Sequence, residues 1–131
     1  MAGAPLVSIV DDDASVRRST RRLLRSSGLR AEAFASGEDF LRSEFLEDTA
    51  CVLLDMGMPG IDGLELQRRL AQSSRRIPIV FLTARATDKE ERQAWQAGAA
   101  NFLRKPVRKE ALLGAIRAVL EGSTNNRKIE L

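Results

Sequence analysis

Short runs of consecutive apolar residues recur along the 131-residue chain, and helical patterns separate them. Four of these runs are Leu6–Val10, 51–54, 77–82 and Asn101–Arg104, and a weaker one covers 29–34. Parallel strands form continuous apolar runs because helices cover both faces of their sheet, and each pair of strands needs a crossover connection. The alternation therefore predicts an α/β protein with a doubly wound, five-stranded parallel sheet.

Helix signals separate the runs. Thr87 and Glu90 have the spacing of a capping box, which marks the start of a helix after the fourth strand. Ser36 and Asp39 have a similar spacing and predict a helix after the second strand that extends to Phe45. A helix after each strand supplies the right-handed crossovers that parallel strands require.

Polar side chains stand at the carboxyl ends of four predicted strands. Asp11 and Asp12 follow the first strand, Asp55 the third, Thr83 the fourth and Lys105 the fifth. In doubly wound sheets, ligands bind beyond the carboxyl ends of the strands, at the point where the strand order reverses. In the order 2-1-3-4-5 that point lies between strands one and three, which are the two strands that end in aspartate. We therefore expect these five side chains to meet at one site.

Three carboxylates and one ammonium suit a magnesium-assisted phosphoryl site. Mg²⁺ prefers oxygen ligands, and its charge together with that of Lys105 balances three aspartates. Asp55 stands alone at the end of its strand and is the expected nucleophile, because a carboxylate that attacks phosphorus forms an acyl phosphate. The Thr83 hydroxyl and the Lys105 ammonium are expected to bind phosphoryl oxygens.

An aspartate that follows a strand is often only the N-cap of the next helix. Asp13 is expected to have that role, with Asp12 as a substitute. Capping does not explain Asp11, Asp55 and Lys105 at separate strand ends of one sheet, so the phosphoryl site is the favoured interpretation.

Four motifs match one known family as a set. They are VDDD at 10–13, LDMGMPGIDG at 54–63, LTA at 82–84 and KP at 105–106. They resemble the receiver domain of two-component response regulators, over about 6–120. Within this family, the stretches GMPG at 57–60 and LELQRRL at 64–70 are most similar to receivers of nitrogen-fixation-type helix-turn-helix transcriptional regulators. The resemblance implies a flavodoxin-like receiver fold with strand order 2-1-3-4-5.

The resemblance also implies specific roles for the site residues. Asp55 would accept a phosphoryl group from a phosphohistidine of a sensor histidine kinase. Asp12, Asp55 and the Gly57 carbonyl would bind Mg²⁺, and Asp11 would join through a water molecule. The family usually carries a larger residue at the position of Gly57, and Gly57 and Arg85 would flank the path of the water that hydrolyses the acyl phosphate.

Further implied roles belong to a conformational switch. Thr83 would be the switch hydroxyl, Phe102 the aromatic side chain that rotates inward with it, and Lys105 the cation on the phosphoryl group. The Lys105–Pro106 peptide bond would be cis. Phosphorylation would change the surface made by the fourth helix, fifth strand and fifth helix. That surface would control an output, expected to be transcription through an attached or partner domain, or form a homodimer.

Two other functions remain open. An aspartate-nucleophile phosphatase would use Asp11 and Asp13 as an Asp-x-Asp pair, but Ala14 and Ser15 stand where other residues usually follow. Such an enzyme would turn over small phosphate esters many times, whereas a receiver catalyses only its own phosphorylation and slow dephosphorylation. A pseudo-receiver would bind proteins without phosphorylation, and the intact set of site residues argues against it.

Composition limits the remaining classes. The sequence contains no histidine, which excludes histidine metal ligands and a phosphohistidine relay within it. The single cysteine, Cys51, lies in an apolar run and is expected to be buried and structural. Apolar stretches fall short of the roughly 20 residues of a membrane span, and the N-terminus lacks a signal-peptide pattern, so a cytoplasmic protein without membrane contact is predicted.

The net charge of +3 does not predict direct nucleic-acid binding. A solvated helix face accounts for the basic residues of the first helix, which are Arg17, Arg18, Arg21, Arg22 and Arg25. The receiver domain is predicted over 1–121, with a polar tail or linker start over 122–131. The tail is too short for a DNA-binding domain, so the sequence is expected to be a single-domain regulator or the front of a longer protein.

Overall fold

The computed structural model describes residues 3–73 and 76–129, with side chains described as far as Gly122. Five strands form one parallel sheet: β1 (Leu6–Val10), β2 (Arg30–Phe34), β3 (Thr49–Leu54), β4 (Ile79–Thr83) and β5 (Asn101–Arg104). The strand order is β2-β1-β3-β4-β5, and all four neighbouring pairs are parallel. The predicted doubly wound α/β fold and its strand order are confirmed.

A helix follows each strand, and the connections between the parallel strands are crossovers that contain these helices. The helices are α1 (Ala14–Ser26), α2 (Gly37–Leu41), α3 (Gly63–Ala71), α4 (Asp88–Gln96) and α5 (Lys109–Ile129), with a short 3₁₀ helix at Leu46–Asp48. Asp13 is the N-cap of α1, and its carboxylate accepts the N–H groups of Ser15 and Val16. The capping box of α4 is complete, with Thr87 and Glu90 each accepting from the other's N–H. Both caps confirm the predictions made from the sequence.

The predicted extent of α2 is wrong. Ser36 caps this helix by accepting the Asp39 N–H at 3.0 Å, but the Asp39 carboxylate binds Arg42 instead of closing the box. The helix ends at Leu41, so Phe45 lies outside it. Phe45 instead precedes the 3₁₀ helix, where its ring centroid lies 6.4 Å from that of Phe34. Packing of Phe45 against the sheet therefore overrides the local helical pattern.

The sheet separates two apolar cores. Alternate residues of β3 point to opposite faces, so Val52 and Leu54 join one core while Cys51 and Leu53 join the other. Helices α2, α3 and α4 cover the first core, and α1 and α5 cover the second. Cys51 is fully buried, as predicted, and burial raises the pKa of its thiol to about 12.

Helix α5 continues past Gly122, where the sequence predicts the start of a polar tail. The side chains beyond Gly122 lie outside the described residues, so the domain limits 1–121 and 122–131 stay predictions. Among the residues that the structure describes, no helix combines the length and apolar character needed to cross a membrane.

Candidate functional site

Backbone hydrogen bonds hold the strand ends of the site in register. The Asp11 N–H donates to the Phe34 carbonyl at 3.1 Å, and the Asp55 N–H donates to the Val10 carbonyl at 2.9 Å. Between the neighbouring strands β4 and β5, the Lys105 N–H donates to the Thr83 carbonyl at 2.8 Å. The strand pairing therefore continues one residue beyond the apolar runs and fixes these polar residues at one edge of the sheet.

Asp11 is the most buried carboxylate of the site, with 3% of the residue exposed. Its Oδ1 accepts the Asp13 N–H at 2.9 Å, and its Oδ2 accepts from the Lys105 ammonium at 3.0 Å. The Arg17 guanidinium donates to the Asp11 backbone carbonyl at 2.8 Å. Both carboxylate oxygens thus have donors within the protein, which suits an indirect role toward a cation.

Asp11, Asp12 and Asp55 together form a candidate cation site. Each offers a carboxylate oxygen, and these three oxygens lie within 4.8 Å of one another. Asp12 is exposed and Asp55 is half-buried, so the cluster opens to solvent on one side. Oxygen donors of this kind match a hard divalent cation such as Mg²⁺. The structure therefore brings together all three predicted carboxylates.

The environment of Asp55 disfavours its charged form. Its pKa lies above the ordinary value because burial removes water from the carboxylate, and the negative charge of Asp11 adds to this effect. The Thr83 hydroxyl, the Lys105 ammonium and the Met56 N–H act in the opposite direction. The Met56 N–H donates to Asp55 Oδ1 at 2.9 Å. A bound cation would relieve the repulsion that raises this pKa.

The loop between β3 and α3 is packed directly against the site. The Gly63 N–H donates to the Met56 carbonyl at 2.8 Å, and Asp62 caps α3 by accepting the Glu65 N–H at 2.9 Å. A Cβ on Gly63 would lie 2.6 Å from the Asp55 carbonyl oxygen. Glycine at this position therefore lets α3 begin against the backbone of Asp55. The sequence motif includes Gly63, but only the structure explains why.

Gly57 lies in the same loop, two residues after Asp55. It is exposed, whereas its neighbours Met56 and Met58 are buried in the core beneath. A Cβ on Gly57 would meet no atom within 4 Å. The two methionines therefore anchor the loop while Gly57 leaves the space above it open.

Thr83, at the end of β4, bonds to its own loop. The Thr83 hydroxyl donates to the Arg85 carbonyl at 3.0 Å and accepts the Arg85 N–H at 3.3 Å. A hydroxyl has one proton to donate, so the Arg85 carbonyl and the Asp55 carboxylate, whose pKa the same hydroxyl lowers, compete for it.

Phe102 lies inward in this structure, with 8% of the residue exposed. Its ring stacks on Phe81 with 5.4 Å between centroids, and the rotation that the resemblance implies stays a prediction. The Arg104 guanidinium carbon lies 5.5 Å from the Phe102 ring centroid. The Lys105–Pro106 peptide bond that follows is cis.

Arg104 also joins β5 to α4. It donates to Glu91 Oε1 and to the Ala86 carbonyl, both at 2.8 Å. The other oxygen of Glu91 accepts from the indole N–H of Trp95 at 3.3 Å, and Trp95 is 44% exposed. Phe102 is thereby connected to the only tryptophan of the chain. The sequence pattern of β5 contains no signal for this role of Arg104.

Comparison with known proteins gives consistent matches. The sequence matches the family described as response regulator receiver domain over residues 7–117. Nodulation protein W of Bradyrhizobium diazoefficiens is 38% identical over 125 residues, which are 95% of this chain and 55% of that protein. The transcriptional regulatory protein FixJ of Azorhizobium caulinodans is 36% identical over 124 residues, which are 95% of this chain and 59% of that protein.

A solved structure, that of the response regulator StyR, has the same fold. Its TM-score is 0.81 at 42% sequence identity, and the match covers 98% of this chain and 65% of StyR. The chain spans little more than half the length of the curated relatives it matches.

Proposed function

Because the chain belongs to the response regulator receiver domain family, as its four motifs predict, we propose that it is a phosphoacceptor switch of a two-component system. Asp55 accepts a phosphoryl group from a phosphohistidine of a sensor histidine kinase in a magnesium-dependent reaction. One observation carries this proposal: Asp11, Asp12 and Asp55 offer oxygens within 4.8 Å of one another beside the Lys105 ammonium.

The residues of the cluster fit Mg²⁺ by their chemistry. Asp12, Asp55 and the Gly57 carbonyl would hold the ion directly, and Asp11 would hold it through a water molecule. This arrangement agrees with the donors that already occupy both oxygens of Asp11. The bound ion supplies charge neutralisation for the carboxylates and the incoming phosphoryl group.

The covalent step is a displacement at phosphorus. A carboxylate oxygen of Asp55 forms a bond to phosphorus while the phosphorus–nitrogen bond of the phosphohistidine breaks, and the bonding electrons return to the imidazole nitrogen. Lys105 binds a phosphoryl oxygen and offsets part of its charge. Water later attacks the phosphorus, past Gly57 and Arg85, and the bond between phosphorus and the Asp55 oxygen breaks, which releases phosphate and restores the carboxylate. The chain thus acts on itself and does not turn over an external substrate.

The switch begins at Thr83. A phosphoryl group on Asp55 adds charge and acceptor oxygens, which compete with the Arg85 carbonyl for the Thr83 hydroxyl proton. Movement of Thr83 alters the β4–α4 loop, where the Ala86 carbonyl accepts from Arg104. Arg104 in turn contacts Phe102 and Glu91. The change therefore reaches the surface formed by α4, β5 and α5 as a shift between two existing arrangements.

The output follows from that surface. We propose that the surface of α4, β5 and α5 controls transcription, through an attached or partner domain. The same surface forms a homodimer when Asp55 is phosphorylated. The names of relatives such as FixJ support transcription as the output. The site lies in the cytoplasm with its kinase, and this domain makes no direct contact with nucleic acid or membrane.

Light scattering with and without beryllofluoride, a phosphoryl analogue, tests the dimer, and monomers in both conditions would contradict it.

The decisive experiment is the intact mass of the protein after incubation with acetyl phosphate. We expect one phosphoryl adduct in wild-type protein with Mg²⁺, and none in EDTA or in the Asp55→Asn variant. An adduct that persists in Asp55→Asn would contradict the assignment of Asp55. Absence of an adduct in wild type, despite rapid acid quenching, would favour the pseudo-receiver, whereas repeated hydrolysis of p-nitrophenyl phosphate would favour the phosphatase.

A further inference from the structure

We propose that Glu38 is a positioning residue for the magnesium site, and that it acts through the loop 55–62, here called the metal loop. This inference rests on the proposed function of that loop. Glu38 lies in the first turn of α2, outside the set of residues predicted from the motifs. It contacts the metal loop near its C-terminal end, at Ile61.

The contact is a hydrogen bond between side chain and backbone. The Ile61 N–H donates to Glu38 Oε2 at 3.2 Å, across 23 positions in the sequence. A charged acceptor strengthens such a bond relative to a neutral one. The carboxylate thereby satisfies a partly buried loop donor that would otherwise depend on water.

The backbone of the metal loop is shaped to admit this carboxylate. Gly60 has a φ of +75°, a region that favours glycine, and a Cβ there would lie 2.6 Å from Glu38 Oε2. On the α2 side, a Cβ on Gly37 would lie 3.4 Å from the Ile61 side chain. Gly60 therefore leaves room for the Glu38 carboxylate, which lies over it, while the Gly37 distance is an ordinary van der Waals contact.

Buried side chains and a backbone hydrogen bond also stabilise the metal loop. The side chains of Met58 and Ile61 are buried, and the Gly63 N–H bonds to the Met56 carbonyl. Glu38 adds a contact at Ile61, so the segment that carries the proposed Gly57 ligand lies between the bonded Met56 carbonyl and the bonded Ile61 N–H. Mg²⁺ requires near-ideal octahedral geometry, and residues that orient its ligands contribute strongly to affinity.

The test is calorimetric titration of the metal-free protein with Mg²⁺. Loss of an orienting partner commonly weakens metal binding by about 10-fold or more, and we expect an effect of this order for Glu38→Ala. Glu38→Gln keeps an oxygen that can accept the Ile61 N–H, so its affinity is expected to stay within about 2-fold of wild type, since only the charge assistance is lost. Glu44→Ala removes an exposed glutamate shortly after α2 and is the matched control, expected to bind as wild type does.

A second measurement does not involve the metal. Amide hydrogen exchange of Ile61 in EDTA is expected to accelerate in Glu38→Ala, and to remain slow in wild type, Glu38→Gln and Glu44→Ala. Unchanged exchange at Ile61 would overturn the contact itself. Equal loss of Mg²⁺ affinity in Glu38→Gln and Glu38→Ala would overturn the hydrogen-bond role, because charge alone would then explain the effect.

The failure of this inference differs from the failure of the proposed function. Wild-type protein that does not bind Mg²⁺ would overturn the proposed magnesium-dependent function, and the role of Glu38 with it. If wild-type protein binds Mg²⁺ with the same affinity as Glu38→Ala, only the proposed role of Glu38 is overturned.

Discussion

The Lys105 ammonium lies 3.0 Å from Asp11 Oδ2, although the two residues are 94 positions apart in the sequence. Because β3 and β4 lie between β1 and β5, this ion pair reaches across the strand ends that carry Asp55 and Thr83. The Asp11 side chain is 4% exposed and that of Lys105 21%. A carboxylate buried to this extent requires its partner, so loss of Lys105 would leave Asp11 without its counter-charge. The pair also leaves the ammonium close enough to Asp55 to lower its pKa.

Replacement of Lys105 by methionine tests this pair. We expect Lys105→Met to lower the free energy of unfolding in EDTA by about 1–3 kcal/mol, the cost of leaving a buried polar group unpaired. Mg²⁺ is expected to raise the melting temperature more in the variant than in wild type, because the cation then meets three carboxylates without a competing ammonium. Lys109→Met, at an exposed position of α5, is the control, and equal stability of the two variants would contradict the prediction.

The raised pKa of Asp55 predicts a pH-dependent stability difference. A carboxyl group with a raised folded pKa stabilises the fold below its ordinary pKa of 3.8, and this contribution disappears as pH rises through the folded value. In EDTA at neutral pH, Asp55→Asn is therefore expected to be more stable than wild type, by the roughly 0.5–2 kcal/mol of a typical stabilising substitution. The gain should shrink as pH falls toward 3.8. Urea unfolding across this range measures it, and a gain independent of pH would refute the cause.

Two glycine substitutions are expected to have opposite effects. Gly63→Ala would place Cβ 2.6 Å from the Asp55 carbonyl oxygen and 2.9 Å from the Met56 Cα, both backbone atoms. We expect a loss of about 1–3 kcal/mol, as for other overpacked sites. Gly114→Ala, on α5, meets nothing within 4 Å and should stabilise the helix by about 0.5–1 kcal/mol. Urea unfolding of both variants measures these changes in the free energy of unfolding. Similar changes in the two variants would contradict the close packing around Gly63.

Cys51 provides a probe of global unfolding. The residue is fully buried and its thiol pKa is raised to about 12, so the reactive thiolate is scarce in the native protein. We expect iodoacetamide to leave Cys51 unmodified at pH 8 in native buffer, and to modify it completely in urea. Mass spectrometry follows the reaction. Rapid alkylation without denaturant would show that β3 opens locally.

Sequence patterns are most informative where the local and the tertiary signals coincide. The caps formed by Asp13 and Thr87 appear as predicted because a cap depends on residues within one turn. The predicted extension of α2 to Phe45 is wrong, since the Phe45 ring packs near Phe34, the last residue of β2, which lies outside the helical segment. Patterns within a segment carry no information about such a partner.

The same distinction applies to the candidate site. The sequence by itself determined the α/β fold and the strand-end positions of Asp11, Asp55 and Lys105, because apolar runs and the polar residues after them are local features. Only the tertiary structure decided that Glu38 binds the Ile61 N–H and that Arg104 joins Phe102 to Glu91. These contacts link separate segments through one carboxylate or guanidinium each. Their geometry depends on how the helices pack against the sheet, which the spacing of residues along the chain does not encode.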